Sequence, residues 1–292
     1  MNSLSLQTLL EQHKRPILVE LDPPRQADSM TFLAGARELC DAGADVITIA
    51  DCPVGQVGID ASLLAAKVRR EYGIRTLPHM ACRDRNFNAI QALLMGLAME
   101  DVQSVLLVTG DPVAQKDRAH IKGVFQLNSQ TLARAIGQKT AEGALPAFFL
   151  CGALNVNAVH FDAELEKARR KEDCGIRAFL TQPLTSRQAE ENLLKAREAL
   201  HGFLLGGLFP IVSHKNALFL QNHVNGVTID PGIIDSYEGL DRDQGEERGR
   251  ALCLQIAART AHAVDGFYIM TPFQRVALVK TVIAGIKAME NP

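Results

Sequence analysis

Short apolar runs rich in β-branched residues alternate with longer segments of helical period almost without interruption along this chain. The runs predict eight strands, at residues 17–22, 45–50, 75–80, 104–109, 146–151, 177–182, 203–211 and 266–271. The segments of helical period predict helices at about 30–42, 60–72, 86–100, 128–142, 162–174, 186–200, 214–224, 243–264 and 272–287. Strand-then-helix alternation predicts an α/β protein with a parallel sheet, and eight such units are the number that closes into a (β/α)8 TIM barrel.

The alternative fold is a doubly wound open sheet. Its usual nucleotide signatures are missing, because no GxGxxG follows the first strand and no GxxxxGK[ST] occurs anywhere. No linker or internal repeat divides the chain, so residues 1–292 are predicted to form a single barrel domain. The longest interruption, roughly 225–242, is rich in Gly, Pro and Asp. It predicts a loop with a short helix before the last helix–strand unit, and this loop is a candidate lid over the barrel mouth, the end where the strands finish.

Composition narrows the class of partner. With 47% hydrophobic and 22% charged residues, the 292-residue chain can bury a large core. A net charge of −2 without a basic run argues against nucleic acid or an anionic membrane, because both attract clustered Lys and Arg. The N-terminus lacks the pattern of a signal peptide and no apolar run reaches the ~18 residues of a membrane span, so we expect a cytoplasmic protein that binds a small molecule. The six cysteines form no CxxC pair and are expected to be free thiols.

Polar side chains gather where the predicted strands end, whereas the strand starts are apolar. The polar set is Glu20, Asp22, Asp51, Cys52, His79, Cys82, Thr109, Gly110, Asp111, Cys151, Asn155, Asn157, Thr181, Gln182, Ser213, His214, Thr271, Gln274 and Arg275. In a barrel of this kind the loops after the strands build the active site. Because burying an unpaired polar group costs ~1–3 kcal/mol, this asymmetry predicts a functional pocket at the mouth.

The first strand, ILVELD, carries two carboxylates on one face. Side chains alternate along a strand, so Leu18, Glu20 and Asp22 are expected to point into the barrel. A carboxyl group shielded by apolar walls has a raised pKa and can serve as a general acid. The alternative is structural, an ion pair between Glu20 and an Arg or Lys inside the barrel.

Two further clusters allow more than one interpretation. The stretch PHMACRDRN places His79, Arg83 and Arg85 before a helix start, which suits a phosphate or other anion, although both arginines also suit a solvated surface. Cys52 and Cys82, with Cys151, follow predicted strands and are zinc-ligand types, but their spacing matches no known finger or ribbon. We therefore predict no metal site.

Five motifs occur in order at these strand ends: VELDPP, PHMAC, VTGDP, KEDCGIRAFLTQP and FYIMTPFQR. Together they resemble methylenetetrahydrofolate reductase, a flavoprotein with a (β/α)8 barrel. The resemblance covers about residues 15–287 and is closest to the bacterial type found as the reductase part of chains that also carry a homocysteine methyltransferase domain.

The resemblance implies an activity in one-carbon metabolism and methionine biosynthesis. NADH or NADPH would give hydride to FAD, and the flavin would reduce 5,10-methylenetetrahydrofolate to 5-methyltetrahydrofolate. By the same resemblance Glu20 would be the general acid, and Asp111 would be a second catalytic residue close to the pterin and flavin. Gln182, His214 and Arg275 would bind the substrate.

The resemblance also implies cofactor contacts, at His79, Thr109, Cys151, Glu164 and Lys171. Thr109 replaces the family's arginine, and Cys151 stands where many members have a tyrosine. Asp22 replaces an aromatic residue of the first motif. Because the departures lie mainly on the flavin side, FMN is an alternative cofactor, and ferredoxin or another flavoprotein in a partner subunit is an alternative donor. A homo-oligomer is a further possibility. The alternative functions are a folate-binding methyl-transfer component and a noncatalytic subunit.

Overall fold

Eight parallel strands close into a barrel in the computed structural model, which describes residues 5–113 and 115–290. The strands follow chain order: β1 (Ile17–Leu21), β2 (Val46–Ile49), β3 (Thr76–Ala81), β4 (Ser104–Val108), β5 (Phe149–Leu154), β6 (Ala178–Pro183), β7 (Phe203–Leu208) and β8 (Gly266–Met270). Closure is direct, because β1 pairs with both β2 and β8. This confirms the predicted (β/α)8 barrel, and the open-sheet alternative is wrong.

Helices surround the barrel. They are α1 (Leu6–Glu11), α2 (Met30–Asp41), α3 (Ala61–Tyr72), α4 (Phe87–Met99), α5 (Ser129–Ala141), α6 (Phe161–Asp173), α7 (Arg187–Ala199), α8 (His214–His223), α9 (Pro231–Asp235), α10 (Arg242–Thr260) and α11 (Val276–Glu290). The side chains of Asp60 and Asn86 cap α3 and α4, and Gly73 ends α3 with a φ of 66°. No helix in the described ranges combines the length and the apolar composition of a membrane span.

The apolar core has two parts. The larger part lies between the strands and the surrounding helices, and the smaller part fills the barrel interior. Leu6 and Leu10 of α1 join the interior cluster together with Leu18, Val46, Leu77, Leu106, Phe149, Cys151, Ala178, Leu180, Leu205 and Tyr268. We call the end closed by α1 the floor. Sequence reasoning missed α1, because six residues are too short to show a helical period.

The fifth strand begins three residues later than predicted, at Phe149 rather than residue 146. The residues ahead of it, Pro146, Ala147 and Phe148, are also apolar, so composition alone could not place the start. Phe149 is the residue whose amide donates to the carbonyl of Gln103 at 2.9 Å. The prediction that Cys151 ends this strand is therefore wrong, since Cys151 lies in its middle.

The interruption at roughly residues 225–242 contains the short helix α9, which confirms the predicted loop and short helix before the last helix–strand unit. It is bound to the loops after β5 and β6. Asn157 donates to the carbonyl of Gly226 at 3.0 Å, and Thr185 donates to the carbonyl of Thr228 at 2.7 Å. Tyr237 of the same segment is 1% exposed. The segment is thus anchored in the core beside the mouth.

Candidate active site

Glu20 lies inside the barrel near the end of β1, one inward position above Leu18. Its Oε2 accepts a hydrogen bond from the hydroxyl of Tyr268, on β8, and lies 3.4 Å from Nε2 of His79, on β3. The side chain of Glu20 is 18% exposed. Among the described residues no Lys or Arg forms an ion pair with it, so the alternative of an internal ion pair is wrong.

The environment of Glu20 favours its protonated form. Burial, reinforced by the negative charge of Asp22, raises the pKa of Glu20 to about 8, although the hydrogen bond from Tyr268 lowers that pKa. Burial weakens a charge by removing water, and a second carboxylate repels the charge that ionisation would create. Glu20 is therefore mostly protonated at neutral pH, and it can donate a proton to a bound molecule.

Asp22 also has a raised pKa, because it is partly buried, and the positive charge of Arg25 opposes this effect. After burial, the negative charge of Asp22 is the second cause of the raised pKa of Glu20.

His79 is neutral at physiological pH. Burial lowers its pKa to about 3, and its buried Nε2 has no hydrogen-bond partner. Although Glu20 lies close to this nitrogen, the contact lacks hydrogen-bond geometry. Buried polar atoms in proteins normally have a partner, so this one suits a ligand that enters the mouth.

Gln182 is placed by a bulge near the end of β6. The pairing of β6 with β7 shifts between Leu180 and Pro183, so β6 contains one more residue than β7 over this stretch. The bulge fits because Gly207 faces it: a Cβ at Gly207 would lie 2.5 Å from the carbonyl oxygen of Thr181. Gln182 is half-buried, and its side-chain amide forms no hydrogen bond within the described ranges.

Thr109 and Asp111 follow β4 on an exposed turn. Gly110 separates them with a φ of +91°, and a Cβ there would lie 3.0 Å from Cβ of Arg83. The hydroxyl of Thr109 accepts a hydrogen bond from the amide of Ser129, in the first turn of α5, at 3.3 Å. The carboxylate of Asp111 is exposed, so it is open to a ligand.

His214 and Arg275 follow β7 and β8, and each faces a carboxylate. Nε2 of His214 lies 3.9 Å from Oε1 of Glu238. Arg275 forms an ion pair with Glu246 near the start of α10, and its guanidinium lies 6.0 Å from the ring centre of Phe273. Both residues are on the rim of the mouth rather than in contact with Glu20.

The other predicted cofactor contacts are engaged within the protein. Nζ of Lys171 donates to the carbonyl of Ala153 at 2.5 Å, and burial lowers the pKa of this lysine. Glu164 accepts from the amide of Asn155 at 3.4 Å and pairs with Lys167 at 2.9 Å. Cys151 is 0% exposed within the interior cluster, and burial raises its pKa.

These positions test how well the residues suit a flavin. The unpartnered Nε2 of His79 and the exposed hydroxyl of Thr109 can hold the edge of a planar ring system. Lys171 donates one of its three N–H groups to the carbonyl of Ala153 and is largely buried, so it is partly committed within the protein. The unpartnered groups on the ring side therefore suit a planar ligand such as a flavin ring, whereas Lys171 and Glu164 make hydrogen bonds within the protein.

The arginines after β3 do not form an open anion site. Arg85 bridges Asp51 and Asp60 at 2.5 and 2.6 Å, and Arg83 donates to Asp84 at 2.9 Å. Cys52 is half-buried on the loop after β2, whereas Cys82 is buried. Within residues 5–113 and 115–290 no three His, Cys, Asp or Glu side chains are grouped to hold a metal ion.

Sequence reasoning missed Tyr268. The strand GFYIMT carries this tyrosine on the face opposite Phe267 and Ile269, which belong to the outer core. A tyrosine that faces a barrel interior needs a partner for its hydroxyl, and that requirement was the available signal.

Solved structures share this fold. An uncharacterized protein from Clostridium thermocellum, described as binding two copies of 5-methyl-5,6,7,8-tetrahydrofolic acid, superposes with a TM-score of 0.66 at 14% identity, over 97% of this chain and 99% of that chain. A tryptophan synthase from M. tuberculosis gives a TM-score of 0.54 at 14% identity, over 95% of each chain. A 2,3-dimethylmalate lyase gives 0.53 at 14% identity, over 98% of this chain and 85% of that chain. At such identity the likenesses show the fold alone.

No curated protein matches the sequence significantly. The family model for methylenetetrahydrofolate reductase, in contrast, matches residues 5–285. Because this match spans nearly the whole chain, the protein belongs to the methylenetetrahydrofolate reductase family.

Proposed function

We propose that this protein reduces 5,10-methylenetetrahydrofolate to 5-methyltetrahydrofolate, with hydride from NADH or NADPH delivered through FAD. The observation that carries the proposal is the carboxyl group of Glu20, which is largely buried at the mouth of the barrel and accepts a hydrogen bond from Tyr268. Membership of the family supports the reaction, and the Clostridium thermocellum protein, which binds 5-methyltetrahydrofolic acid, supports the substrate class. The amino-acid sequences of the five motifs support the bacterial type of the enzyme, close to the reductase part of fusions with a homocysteine methyltransferase.

Glu20 supplies the proton that opens the methylene bridge of the substrate. The bridge carbon is bonded to two nitrogens, and one C–N bond breaks with its electron pair moving to the leaving nitrogen. A proton from Glu20 neutralises that nitrogen, and the carbon becomes an iminium group that accepts hydride. General acids work best with a pKa near the working pH, which a pKa of about 8 satisfies.

Two side chains at the mouth are suited to the pterin ring. The amide of Gln182 can donate and accept, whereas the carboxylate of Asp111 accepts only, so together they match a ring edge with both N–H groups and acceptor atoms. Neither side chain is committed to a partner among the described residues. His214 and Arg275 line the rim, where they can contact the rest of the substrate.

Bound flavin would supply a hydride carrier beside the substrate. We assign His79 and Thr109 to its ring, and Glu164 and Lys171 to its ribityl and phosphate portion, with Cys151 beneath the site. Lys171 gives one of its three N–H groups to the carbonyl of Ala153 and keeps two for a phosphate. FMN would need fewer contacts than FAD from the residues on the phosphate side.

The second candidate function is a folate-binding methyl-transfer component or noncatalytic subunit without hydride transfer of its own. It is favoured by the internal hydrogen bonds of Glu164 and Lys171, because side chains engaged within the protein are less available to the phosphate side of a flavin. Such a protein needs the folate pocket but no flavin.

The absorption spectrum of the purified protein separates the two functions. We expect a flavin spectrum that NADH or NADPH bleaches without air and that 5,10-methylenetetrahydrofolate restores. The matched control is Glu20→Gln, which should still bleach but recolour slowly, because only the folate half-reaction needs the acid. A colourless protein that binds 5-methyltetrahydrofolate and takes up no added FAD or FMN would establish the second function. Bleaching by reduced ferredoxin or another reduced flavoprotein alone would identify a partner subunit as the donor.

A further inference from the structure

The two oxygens of the Glu20 carboxyl group have different surroundings. Oε2 accepts the hydrogen bond of Tyr268 and is the oxygen that faces His79. Oε1 forms no hydrogen bond within the described ranges. Oε2 therefore fixes the position of the carboxyl group, whereas Oε1 is available to a bound molecule.

The hydroxyl of Tyr268 acts as a donor at any pH near neutrality. Burial, together with the neighbouring Glu20, raises the pKa of this tyrosine well above its ordinary value. An oxygen that accepts from a phenol O–H is a poor place for the proton of the acid itself, because two hydrogens would then face one another or one hydroxyl would have to turn away.

We propose that Tyr268 is a positioning residue that holds Glu20 through Oε2, so that the transferable proton is carried on Oε1, toward the bound substrate. The inference rests on the proposed function, because it assigns Tyr268 a role in the proton transfer of that reaction. Tyr268 lies in the motif FYIMTPFQR, which implied no role for it, and it acts through Glu20 rather than on the substrate.

The same hydrogen bond stabilises the product of the proton transfer. When the Oε1–H bond breaks, its electron pair stays on the carboxyl group and the proton passes to the leaving nitrogen of the substrate. Glu20 is then a buried carboxylate, and the Tyr268 hydroxyl becomes a charge-assisted donor to it. The step needs no oxidant or reductant, and a single proton moves.

The groups that face Glu20 come from β1 and from three other strands. They are Asp22 directly after β1, Thr48 on β2, His79 on β3 and Tyr268 on β8. Arg25 acts on Asp22, and His79 is neutral because of its depressed pKa. Tyr268 is thus the hydrogen-bond donor that these groups supply to Glu20, and its ring is held among the apolar residues of the interior cluster.

The test compares two buried tyrosines. Tyr268→Phe removes the hydroxyl that donates to Glu20, whereas Tyr237→Phe removes a buried hydroxyl without a partner from the outer core. The infrared carbonyl stretch of protonated Glu20, identified by its loss in Glu20→Gln, is followed as a function of pH in each protein. We expect Tyr268→Phe to shift this band to higher frequency and to raise the proton affinity of Glu20 about tenfold, because the carboxylate loses a charge-assisted hydrogen bond.

Steady-state kinetics of the folate reduction are the second measurement. Tyr268→Phe should lower kcat roughly 10- to 100-fold, with little change in the KM for folate, whereas Tyr237→Phe should leave both unchanged. The inference is overturned if the Glu20 band and its titration are the same in the two variants. The infrared measurement requires no turnover. It therefore tests the hydrogen bond between Tyr268 and Glu20 even if the protein proves not to be a reductase.

A second replacement covers the case in which Tyr268→Phe does not fold. Incorporation of 3-fluorotyrosine at position 268 keeps the ring and makes the hydroxyl a stronger donor. The proton affinity of Glu20 should then fall rather than rise. An unchanged titration in the fluorinated protein would also contradict the inference.

Discussion

The floor and the mouth of the barrel are built from the same eight strands, but they bury different kinds of side chain. At the floor, Leu6 and Leu10 of α1 pack against apolar residues such as Leu18 and Phe149. At the mouth, the inward positions carry Glu20 and His79, which are buried but not paired with a charge of opposite sign in the described part of the chain.

This contrast has an energetic meaning. Burial of apolar area at the floor stabilises the fold at about 25 cal/mol per Å². Burial of titratable groups at the mouth has the opposite effect, because it holds Glu20 in its protonated form and His79 in its neutral form. The floor therefore stabilises the fold. The mouth lowers the stability of the fold, and the same burial keeps Glu20 protonated near neutral pH. The following predictions separate the two contributions.

The largest effect is expected at the mouth, from Glu20→Gln. Gln can still accept from Tyr268 but has no proton to give, so kcat should fall by ~10²–10⁴, the usual contribution of a general acid. Stopped-flow measurement of the folate half-reaction checks this. Full activity in this variant would remove Glu20 from the mechanism.

The same variant should be more stable than the wild type at pH 8. A carboxyl group whose pKa in the folded state is raised above the ordinary value contributes stability that is complete below a pH of about 4.5 and is lost as the pH rises through about 8. The gain from Glu20→Gln at pH 8 should be about 4 kcal/mol and should nearly vanish toward pH 4.5. Urea denaturation at several pH values measures it.

At the floor, the effects on activity and stability should be reversed. Leu10 is 1% exposed in the interior cluster, and Leu10→Ala should lower the free energy of unfolding by about 2–4 kcal/mol through lost packing and a residual cavity. The activity per folded molecule should be unchanged, since Glu20 lies at the other end of the interior. Leu63→Ala makes the same chemical change at a position that is 63% exposed, and it should shift stability by less than about 0.5 kcal/mol. A large loss of kcat in folded Leu10→Ala protein would show that the two ends are coupled.

The difference between floor and mouth was partly visible in the sequence. Eight apolar runs and the gathering of polar residues at their ends were enough to predict the barrel and the inward face of Glu20. The floor helix was not predictable, because Leu6 and Leu10 show their role only when the barrel interior is assembled. The position of β5 was also missed, since Pro146–Phe148 are as apolar as the strand that follows them.

Within the site, local pattern predicted which strand carries the acid but not what touches it. Tyr268 is 248 residues from Glu20 in sequence, and the two meet because closure of the barrel pairs Leu18 with Tyr268. The internal hydrogen bonds of Lys171 and Glu164 were likewise hidden, because they depend on how α6 packs on β5. Contacts of this kind follow from register and packing, which one sequence does not display.

The smallest predicted effect concerns Asp22, which raises the pKa of Glu20 by charge repulsion. Asp22→Asn removes that charge and keeps the size of the side chain, so the pKa of Glu20 should fall below about 8 while burial keeps it above its ordinary value. The decline of kcat at high pH should then begin at lower pH, whereas the rate below pH 6, where Glu20 is protonated in both proteins, should change little. The pH profile of the folate half-reaction measures the shift. Asp41→Asn, which removes an exposed carboxylate from α2, controls for the change in net charge and should leave the profile unchanged. An identical profile for Asp22→Asn and the wild type would mean that burial alone sets the protonation of Glu20, and the mouth would then differ from the floor through one carboxyl group rather than through a pair.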